Sequence, residues 1–285
     1  VVLDEILSYQ DNPSELIFDD FEELLYPSHA MGRNILGTVE SVSGFRQQDL
    51  SQFVQRQYHT DRMVVSLVGE IKETKVQRIM NKYFGSVPST ESVSKTVSPG
   101  PANIERKEVE MDTFQAHLMI GSETYDLHNK LRLPMVLLNN LLGGPAMNSR
   151  LSMNIREKYG IAYNLESSYS AYSDCGVFST YLGTDKKWLR KSEQLILREL
   201  KNLREKKLTT TGLHRAKQQF KGQYALAKES GAGMMQSIGK SLLVLDKVED
   251  SATILSKIDN ITAEEILEAA NYTFDPSKLS TLIYR

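Results

Sequence analysis

An arginine and a tyrosine seven positions apart, Arg156 and Tyr163, are the pair of side chains in this sequence with the clearest potential chemistry. Arginine presents a fixed fork of N–H donors and tyrosine a phenolic hydroxyl, and both can donate to developing negative charge. The pattern predicts a helix over about 148–158 and a strand starting at Tyr163, so both side chains could face one cleft. Equally, an arginine among charged neighbours is typical of a solvated helix face, and a tyrosine at a strand start is typical of half-buried packing.

Histidine and cysteine are too scattered to form a metal site or a nucleophile site. Zinc needs three protein ligands, two of them usually close together in sequence. No His-x-x-Glu-His motif is present, and no histidine has a second one at helical spacing. The lone Cys175 excludes an intrachain disulfide framework and a thiolate cluster. Gly-x-Ser-x-Gly, P-loop and dinucleotide-binding patterns are also absent. The five histidines, which we interpret as surface or loop residues, are His29, His59, His117, His128 and His214.

Charge and hydropathy exclude two classes of partner. With 34 basic and 36 acidic residues the net charge is -2, which favours neither nucleic acid nor an anionic membrane surface. No apolar run approaches the roughly 18 residues of a membrane span. We expect a soluble protein of the cytoplasm or periplasm. The sequence opens at Val1 without an initiator methionine or a signal peptide, so we expect a fragment or a processed form of a longer protein.

Residues 86–104, rich in proline, serine and threonine, are predicted to be a linker between two domains. Before it, residues 1–85 carry amphipathic helices and one β-branched run, Met63–Gly69, which predicts a buried strand. After it, residues 105–285 indicate two strands, two helices, a hairpin, three or four helices and a last strand. This order predicts an α+β fold in which an antiparallel sheet on one side is packed against helices on the other. The first segment resembles the later part of the same plan, as a truncated repeat would.

Two ordered patterns carry a family resemblance. Residues 143–163 read Gly-Gly, then Ser-Arg-Leu, then Arg-Glu-Lys-x-Gly-x-Ala-Tyr, and residues 32–85 read Gly-Arg-Asn-Ile-Leu-Gly-Thr and later Met-Val-Val and Tyr-Phe-Gly. These patterns resemble the pitrilysin/insulinase (M16) zinc metallopeptidases and the subunits of mitochondrial processing peptidase. The resemblance spans nearly the whole chain. It implies that residues 1–85 are the C-terminal part of a first, catalytic half-domain and that residues 105–285 are a complete second half-domain.

The resemblance also implies roles for three residues. Glu5, in Val-Val-Leu-Asp-Glu, matches the family's third zinc ligand, and the His-x-x-Glu-His segment would lie upstream of Val1. Arg156 and Tyr163 match the pair that binds substrate backbone and steadies the tetrahedral oxyanion. Zinc would belong to the parent enzyme, because a single carboxylate cannot hold the ion. Without the resemblance, Glu5 is a solvated helix acid.

The implied partners are a peptide substrate and either the missing N-terminal segment or a second M16 half or subunit, and a homodimer is also open. Two functions remain open at this point. The chain could belong to a zinc-dependent endopeptidase that encloses peptides between two half-domains, and would be inactive alone. Alternatively, it could be a catalytically inactive M16 subunit that binds substrate or shapes the chamber. A peptide-binding module without a peptidase partner is a third interpretation.

Overall fold

In a computed structural model of the protein, residues 1–92 and 97–285 are described, apart from the Tyr163 side chain; residues 93–96 of the predicted linker lie outside the description. The α+β class is confirmed, and in the described part no helix is long and apolar enough to cross a bilayer. The helices are α1 (Val2–Gln10), α2 (Pro13–Leu25), α3 (Val39–Gly44), α4 (Gln47–Gln57), α5 (Glu73–Phe84), α6 (Arg132–Gly143), α7 (Leu189–Glu205), α8 (Thr210–Ala227), α9 (Gly231–Leu245), α10 (Ser251–Asn260) and α11 (Ala263–Thr273). The strands are β1 (Arg106–Val109), β2 (Gln115–Thr124), β3 (Ala162–Ala171), β4 (Gly176–Asp185) and β5 (Ser280–Tyr284).

The five strands form one mixed sheet in the order β1-β5-β2-β4-β3. The expectation of a purely antiparallel sheet is wrong for one pair, because β1 and β5 run parallel, with Arg106 opposite Thr281. The short connection 110–114 makes β1 and β2 run in opposite directions, and β5 inserts between them. A strand inserted between two antiparallel neighbours must be parallel to one of them.

The larger core lies on the face of the sheet covered by α6, α7 and α11. Successive residues of a strand point to opposite faces, and β2 follows this rule. Ala116, Leu118 and Ile120 belong to the larger core, whereas Met119 belongs to a second core on the other face. β2 is therefore buried on both faces.

The second core is formed by α2, which packs against the opposite face of the sheet. Proline at the first position starts this helix, and its apolar stripe of Ile17, Phe21, Leu24 and Leu25 is buried. The expected arrangement had helices on one side of the sheet, whereas the structure has them on both. The sheet residues that meet α2 are Met119, Val177, Tyr181, Leu282 and Tyr284.

Packing divides the chain into two compact units. The sheet unit comprises Val1–Ser43, Val97–Phe220 and Lys257–Arg285 and holds all five strands. The helical unit comprises Gly44–Thr96, apart from 93–96, together with Lys221–Ser256. The division into half-domains at residues 86–104 stays a prediction.

The helical unit has no buried side chain among its described residues. The expectation of a buried strand at Met63–Gly69 is wrong: this segment pairs with no strand in the described chain. Met63, Val65 and Leu67 are 46%, 56% and 53% exposed. A strand forms only where a neighbour accepts its backbone hydrogen bonds. All described strands belong to the sheet unit, so β-branched residues alone do not create a strand here.

The interpretation of the histidines as surface or loop residues is wrong for His117, which is buried in β2 because its strand is covered on both faces. This burial predicts a loss of stability at acidic pH. His117 Nδ1 lies 2.9 Å from the Tyr181 hydroxyl, and desolvation lowers the pKa of His117 below its ordinary value of 6.5. A lowered folded-state pKa means that the unfolded state binds the proton more readily, so this stability is present above pH 6.5 and is lost as the pH falls through the folded-state value. The slope is at most about 1.4 kcal/mol per pH unit.

Urea unfolding of the wild type and of His117→Gln between pH 8 and pH 5 would test this expectation. The difference in unfolding free energy between the two proteins should shrink as the pH falls below about 6.5, because only the wild type loses the contribution of a neutral buried imidazole. A difference that stays constant with pH would contradict the prediction.

Candidate functional site

Arg156 lies in a π-helical segment, Ser152–Glu157, within the second helix of the predicted pair. Its side chain is exposed, and its Nε is 3.7 Å from Oε1 of the adjacent Glu157. Ile155, one position earlier, is fully buried in the larger core and fixes the segment against the fold. π-helical turns are rare and occur frequently at functional sites, since they reposition side chains relative to a regular helix.

The helix that carries Arg156 ends at a left-handed glycine. Gly160 has φ +63°, and its backbone N–H donates to the Arg156 carbonyl at 2.8 Å. Glycine in this conformation closes a helix at its C-terminus without the steric cost that a Cβ would bring. The chain then turns directly into β3, which contains Tyr163.

The backbone at Tyr163 is irregular. Ala162 pairs with Thr184 and Leu165 pairs with Leu182, so Tyr163 and Asn164 stand opposite the single residue Gly183. This is the geometry of a β-bulge, a feature that re-aims side chains and is common at sheet edges and beside active sites. The Tyr163 side chain lies outside the description.

The start of β3 is fixed by a side-chain hydrogen bond. The Thr184 hydroxyl donates to the Ile161 carbonyl at 2.5 Å, and both residues are buried. The backbone from Arg156 to Tyr163 is therefore fixed by two hydrogen bonds, one between Gly160 and Arg156 and one between Thr184 and Ile161. Exposed guanidinium donors in this segment can bind a peptide carbonyl or a carboxylate.

Glu5 is exposed on α1, and no side-chain hydrogen bond or ion pair joins it to Arg156 in the described part of the chain. The structure thus places Arg156 and the Tyr163 backbone on one path and leaves Glu5 separate. Among residues 1–92 and 97–285, no three histidine, cysteine, aspartate or glutamate side chains lie together where they could hold a metal ion. The residues present do not by themselves fit a zinc ion.

The structure adds one feature that the sequence motifs did not indicate, an ion pair between a buried acid and a partly exposed arginine beside the π-helical segment. Arg150 Nε donates to Oε2 of Glu199 at 3.0 Å, and Arg150 Nη2 lies 2.9 Å from the same oxygen. Glu199 is only 3% exposed and lies in the buried stripe of α7. An acid at a buried stripe position was the available signal in the sequence.

Gly160→Ala is expected to destabilise the protein by about 1–2 kcal/mol, the cost of holding an alanine in the left-handed region. A Cβ at Gly160 would meet no atom within 4 Å, so backbone strain alone sets this cost. Gly222, inside α8, also has open space around it but no positive φ. Gly222→Ala should therefore be neutral or stabilising by up to about 1 kcal/mol. Urea unfolding would measure both, and equal effects would contradict the assignment of strain to Gly160.

Comparisons with known proteins identify a family model and relatives that this chain resembles. The family described as "Peptidase M16 inactive domain" matches residues 44–220. A Bacillus subtilis (strain 168) protein named "Uncharacterized zinc protease YmxG" is 30% identical over 283 residues, covering 99% of this chain and 68% of that protein. "Mitochondrial-processing peptidase subunit beta" of Saccharomyces cerevisiae is 27% identical over 283 residues, covering 93% of this chain and 61% of that protein.

A solved structure extends the likeness to the fold. The crystal structure of a peptidase M16 inactive domain from Pseudomonas fluorescens matches with a TM-score of 0.90 at 20% sequence identity. The match covers 99% of this chain and 68% of that one. At this identity the likeness shows the fold alone.

Proposed function

This chain belongs to the peptidase M16 family, and we propose that it supplies the substrate-holding groups of a zinc-dependent endopeptidase. The observation that carries the proposal is the irregular path from Arg156 to Tyr163. A π-helical turn, a left-handed glycine and a β-bulge follow one another within this short stretch. Backbone irregularities of this kind cost stability and are common at functional sites.

In the proposed enzyme, Arg156 and Tyr163 together bind the substrate backbone and donate to the oxygen that gains negative charge during peptide hydrolysis. Arginine and tyrosine suit these roles because their donors are fixed in direction and need no change of protonation. Hydrolysis begins when water adds to the peptide carbonyl, which places negative charge on the carbonyl oxygen. Stabilising that charge lowers the activation barrier of the reaction. The chain contributes positioning and charge stabilisation.

The position of β3 supports binding of an extended peptide. β3 is an edge strand of the sheet, and its outer side has no strand partner in the described residues. An extended peptide can add to such an edge through backbone hydrogen bonds. At Ser167 the edge is already engaged, since the Asn139 amide donates to the Ser167 carbonyl at 3.2 Å. The stretch between Tyr163 and Ser167 is therefore the proposed contact.

We further propose that Glu5 is one zinc ligand and that the other ligands come from outside the chain. The basis is the resemblance of Val-Val-Leu-Asp-Glu to the segment that carries the family's third zinc ligand, together with the exposure of Glu5 on α1. Relatives named zinc proteases are longer than this chain, which matches 68% of the Bacillus subtilis protein. The term "complete enzyme" denotes the protein in which this chain is joined to, or assembled with, a half-domain that carries His-x-x-Glu-His.

The exposed apolar residues of the helical unit support a protein partner. Val65, Leu67, Phe53 and Tyr83 are each more than half exposed in a unit without a buried side chain. Exposed apolar patches of this kind mark protein interaction sites. We propose that this surface packs against the preceding segment of the same protein or against a second M16 half; self-association into a homodimer is the competing arrangement.

Metal analysis and peptidase assays on the isolated chain and on the complete enzyme test the proposal. The isolated chain should hydrolyse no peptide and bind far less than one zinc ion per molecule after metal supplementation, because one carboxylate cannot retain the ion. The complete enzyme should hydrolyse unfolded peptides and lose that activity with a chelator. Stoichiometric zinc in the isolated chain would contradict the assignment.

An inactive M16 subunit is the second candidate, and a specific observation favours it. The domain whose model matches residues 44–220 is described as inactive. This candidate predicts that the assembled protein binds peptides but that Arg156→Ala leaves hydrolysis by any partner unchanged.

A further inference from the structure

The ion pair between Arg150 and Glu199 stands out because its acid is buried, whereas the Arg150 side chain is 31% exposed. Glu199 occupies the stripe of α7 that otherwise packs apolar residues, including Ile196, Leu200 and Leu203, into the larger core. The Glu199 carboxylate is tolerated at this buried position because Arg150 Nε donates to Oε2 at 3.0 Å and the guanidinium charge lies beside it, with Nη2 2.9 Å from the same oxygen. The two residues belong to different helical elements, so the pair joins α7 to the helix that carries the π-helical segment.

Stability alone is a poor reason for a buried ion pair. Removing two charges from water costs about as much as their attraction returns, and apolar residues of similar volume are often as stabilising. A paired charge does, however, fix distance and direction, because its hydrogen bonds act only within a narrow geometry. The pair therefore sets the rotation and the axial position of the helix that it holds.

The π-helical segment is fixed by contacts on both sides of Arg156. Arg150 lies two residues before the segment and is held by Glu199. Ile155 is buried in the core, and the Gly160 N–H donates to the Arg156 carbonyl.

At the N-terminal side two further hydrogen bonds act beside the ion pair: Asn148 Nδ2 donates to Gln219 Oε1 at 2.8 Å, and the Ser149 hydroxyl donates to the Ser152 hydroxyl at 2.9 Å. The ion pair is the charged contact among them.

We infer that Glu199 is a positioning residue for Arg156, acting through Arg150 on the π-helical segment. The kinetic consequence rests on the proposed function, in which Arg156 binds substrate. The structural consequence does not, because it concerns only how firmly the segment is held.

Hydrogen exchange in the 285-residue chain tests the structural consequence. In Glu199→Gln, the Gly160 amide and the amides of Ser152–Glu157 should exchange about tenfold faster or more, because the local opening becomes easier. Glu205→Gln is the matched control, since Glu205 also lies on α7 and forms an ion pair, with Lys201, but at the surface. It should leave exchange in the segment unchanged. Unchanged exchange in Glu199→Gln would overturn the inference.

A second variant separates positioning from stability. Glu199→Gln leaves Arg150 without its anionic partner, which could unfold the protein for that reason alone. The double substitution Arg150→Met with Glu199→Leu removes both charges. It should unfold within a few degrees of the wild type and still show the faster exchange at Gly160. Wild-type protection of Gly160 in this folded double variant would show that the pair holds nothing in place, and the inference would fail.

Kinetics in the complete enzyme test whether Glu199 acts through Arg156. Glu199→Gln should lower kcat at least tenfold, and adding it to Arg156→Ala should lower kcat by no more than about twofold further, because coupled residues are non-additive. If the factors by which the two single substitutions lower kcat multiply in the double variant, Glu199 acts independently of Arg156. That result would overturn the inference. If Arg156→Ala alone has no effect, the proposed function fails, and the exchange data still decide the positioning role.

Discussion

Arg156→Ala in the complete enzyme is expected to lower kcat/KM about 100- to 1,000-fold, the loss typical of removing one donor to a transition-state oxyanion. The fold should survive, because the Arg156 side chain is exposed and its one described ion pair is with the adjacent Glu157. Arg156→Lys should recover only part of the loss, since lysine keeps the charge but lacks the planar fork of donors. Steady-state hydrolysis of an unfolded peptide measures the effect, with thermal unfolding as the check on folding.

Arg190→Ala is the matched control for charge. Arg190 is also an exposed arginine, on α7, and no role is assigned to it. Its removal should change kcat/KM by less than about twofold, as is usual for a surface position. If Arg156→Ala behaves in the same way, Arg156 is a solvated helix residue and the assignment of substrate binding is wrong.

Phe21→Ala is expected to cost about 3–5 kcal/mol of unfolding free energy, the range for removing a buried aromatic ring. Phe21 is 1% exposed and lies at the centre of the stripe that α2 packs on the sheet. Its loss leaves a cavity in the second core, to which Met119 and Leu282, each 1% exposed, also belong. Urea unfolding followed by circular dichroism measures the loss.

Phe114→Ala controls for the loss of a phenylalanine without burial. Phe114 precedes β2 and is fully exposed, so its replacement should alter the unfolding free energy by less than about 0.5 kcal/mol. A cost below about 1 kcal/mol for Phe21→Ala, where about 3 is expected, would show that α2 is not part of the core of the sheet unit.

The spacing of apolar residues and the positions of turn-forming residues predicted most of the secondary structure of the sheet unit. The amphipathic character of α2 and the hairpin of β3 and β4 both appear in the structure. These features depend on neighbours in sequence, so a local pattern contains them. Five helices follow β4, where three or four were expected, since the breaks between successive helices are short.

Features that depend on distant residues could not be predicted. The parallel pairing of β1 with β5 depends on where the last strand inserts, which no local pattern records. Met63–Gly69 has the composition of a strand, but strand formation needs a partner. The packing of α2 likewise depends on distant residues, because α2 covers the face of the sheet that α6, α7 and α11 leave uncovered.

The motif identified the residues of the proposed site, but it did not predict their backbone geometry. The spacing of Arg156 and Tyr163 predicted a helix end followed by a strand, which the structure confirms at the level of the backbone. The π-helical turn and the β-bulge insert one extra residue each, and the residue types alone do not specify them. Glu199 was missed because its partner, Arg150, is distant in sequence.

Photo-cross-linking of a bound peptide to the zinc-loaded complete enzyme, mapped by mass spectrometry, tests most directly whether this chain holds the substrate. A peptide with a photoreactive side chain near the scissile bond should label residues between Arg156 and Ser167. Arg156→Ala should reduce that labelling, while Arg190→Ala should not. Labelling confined to other parts of this chain, or only to the zinc-bearing half, would contradict the assignment of Arg156 and Tyr163 as substrate-holding groups.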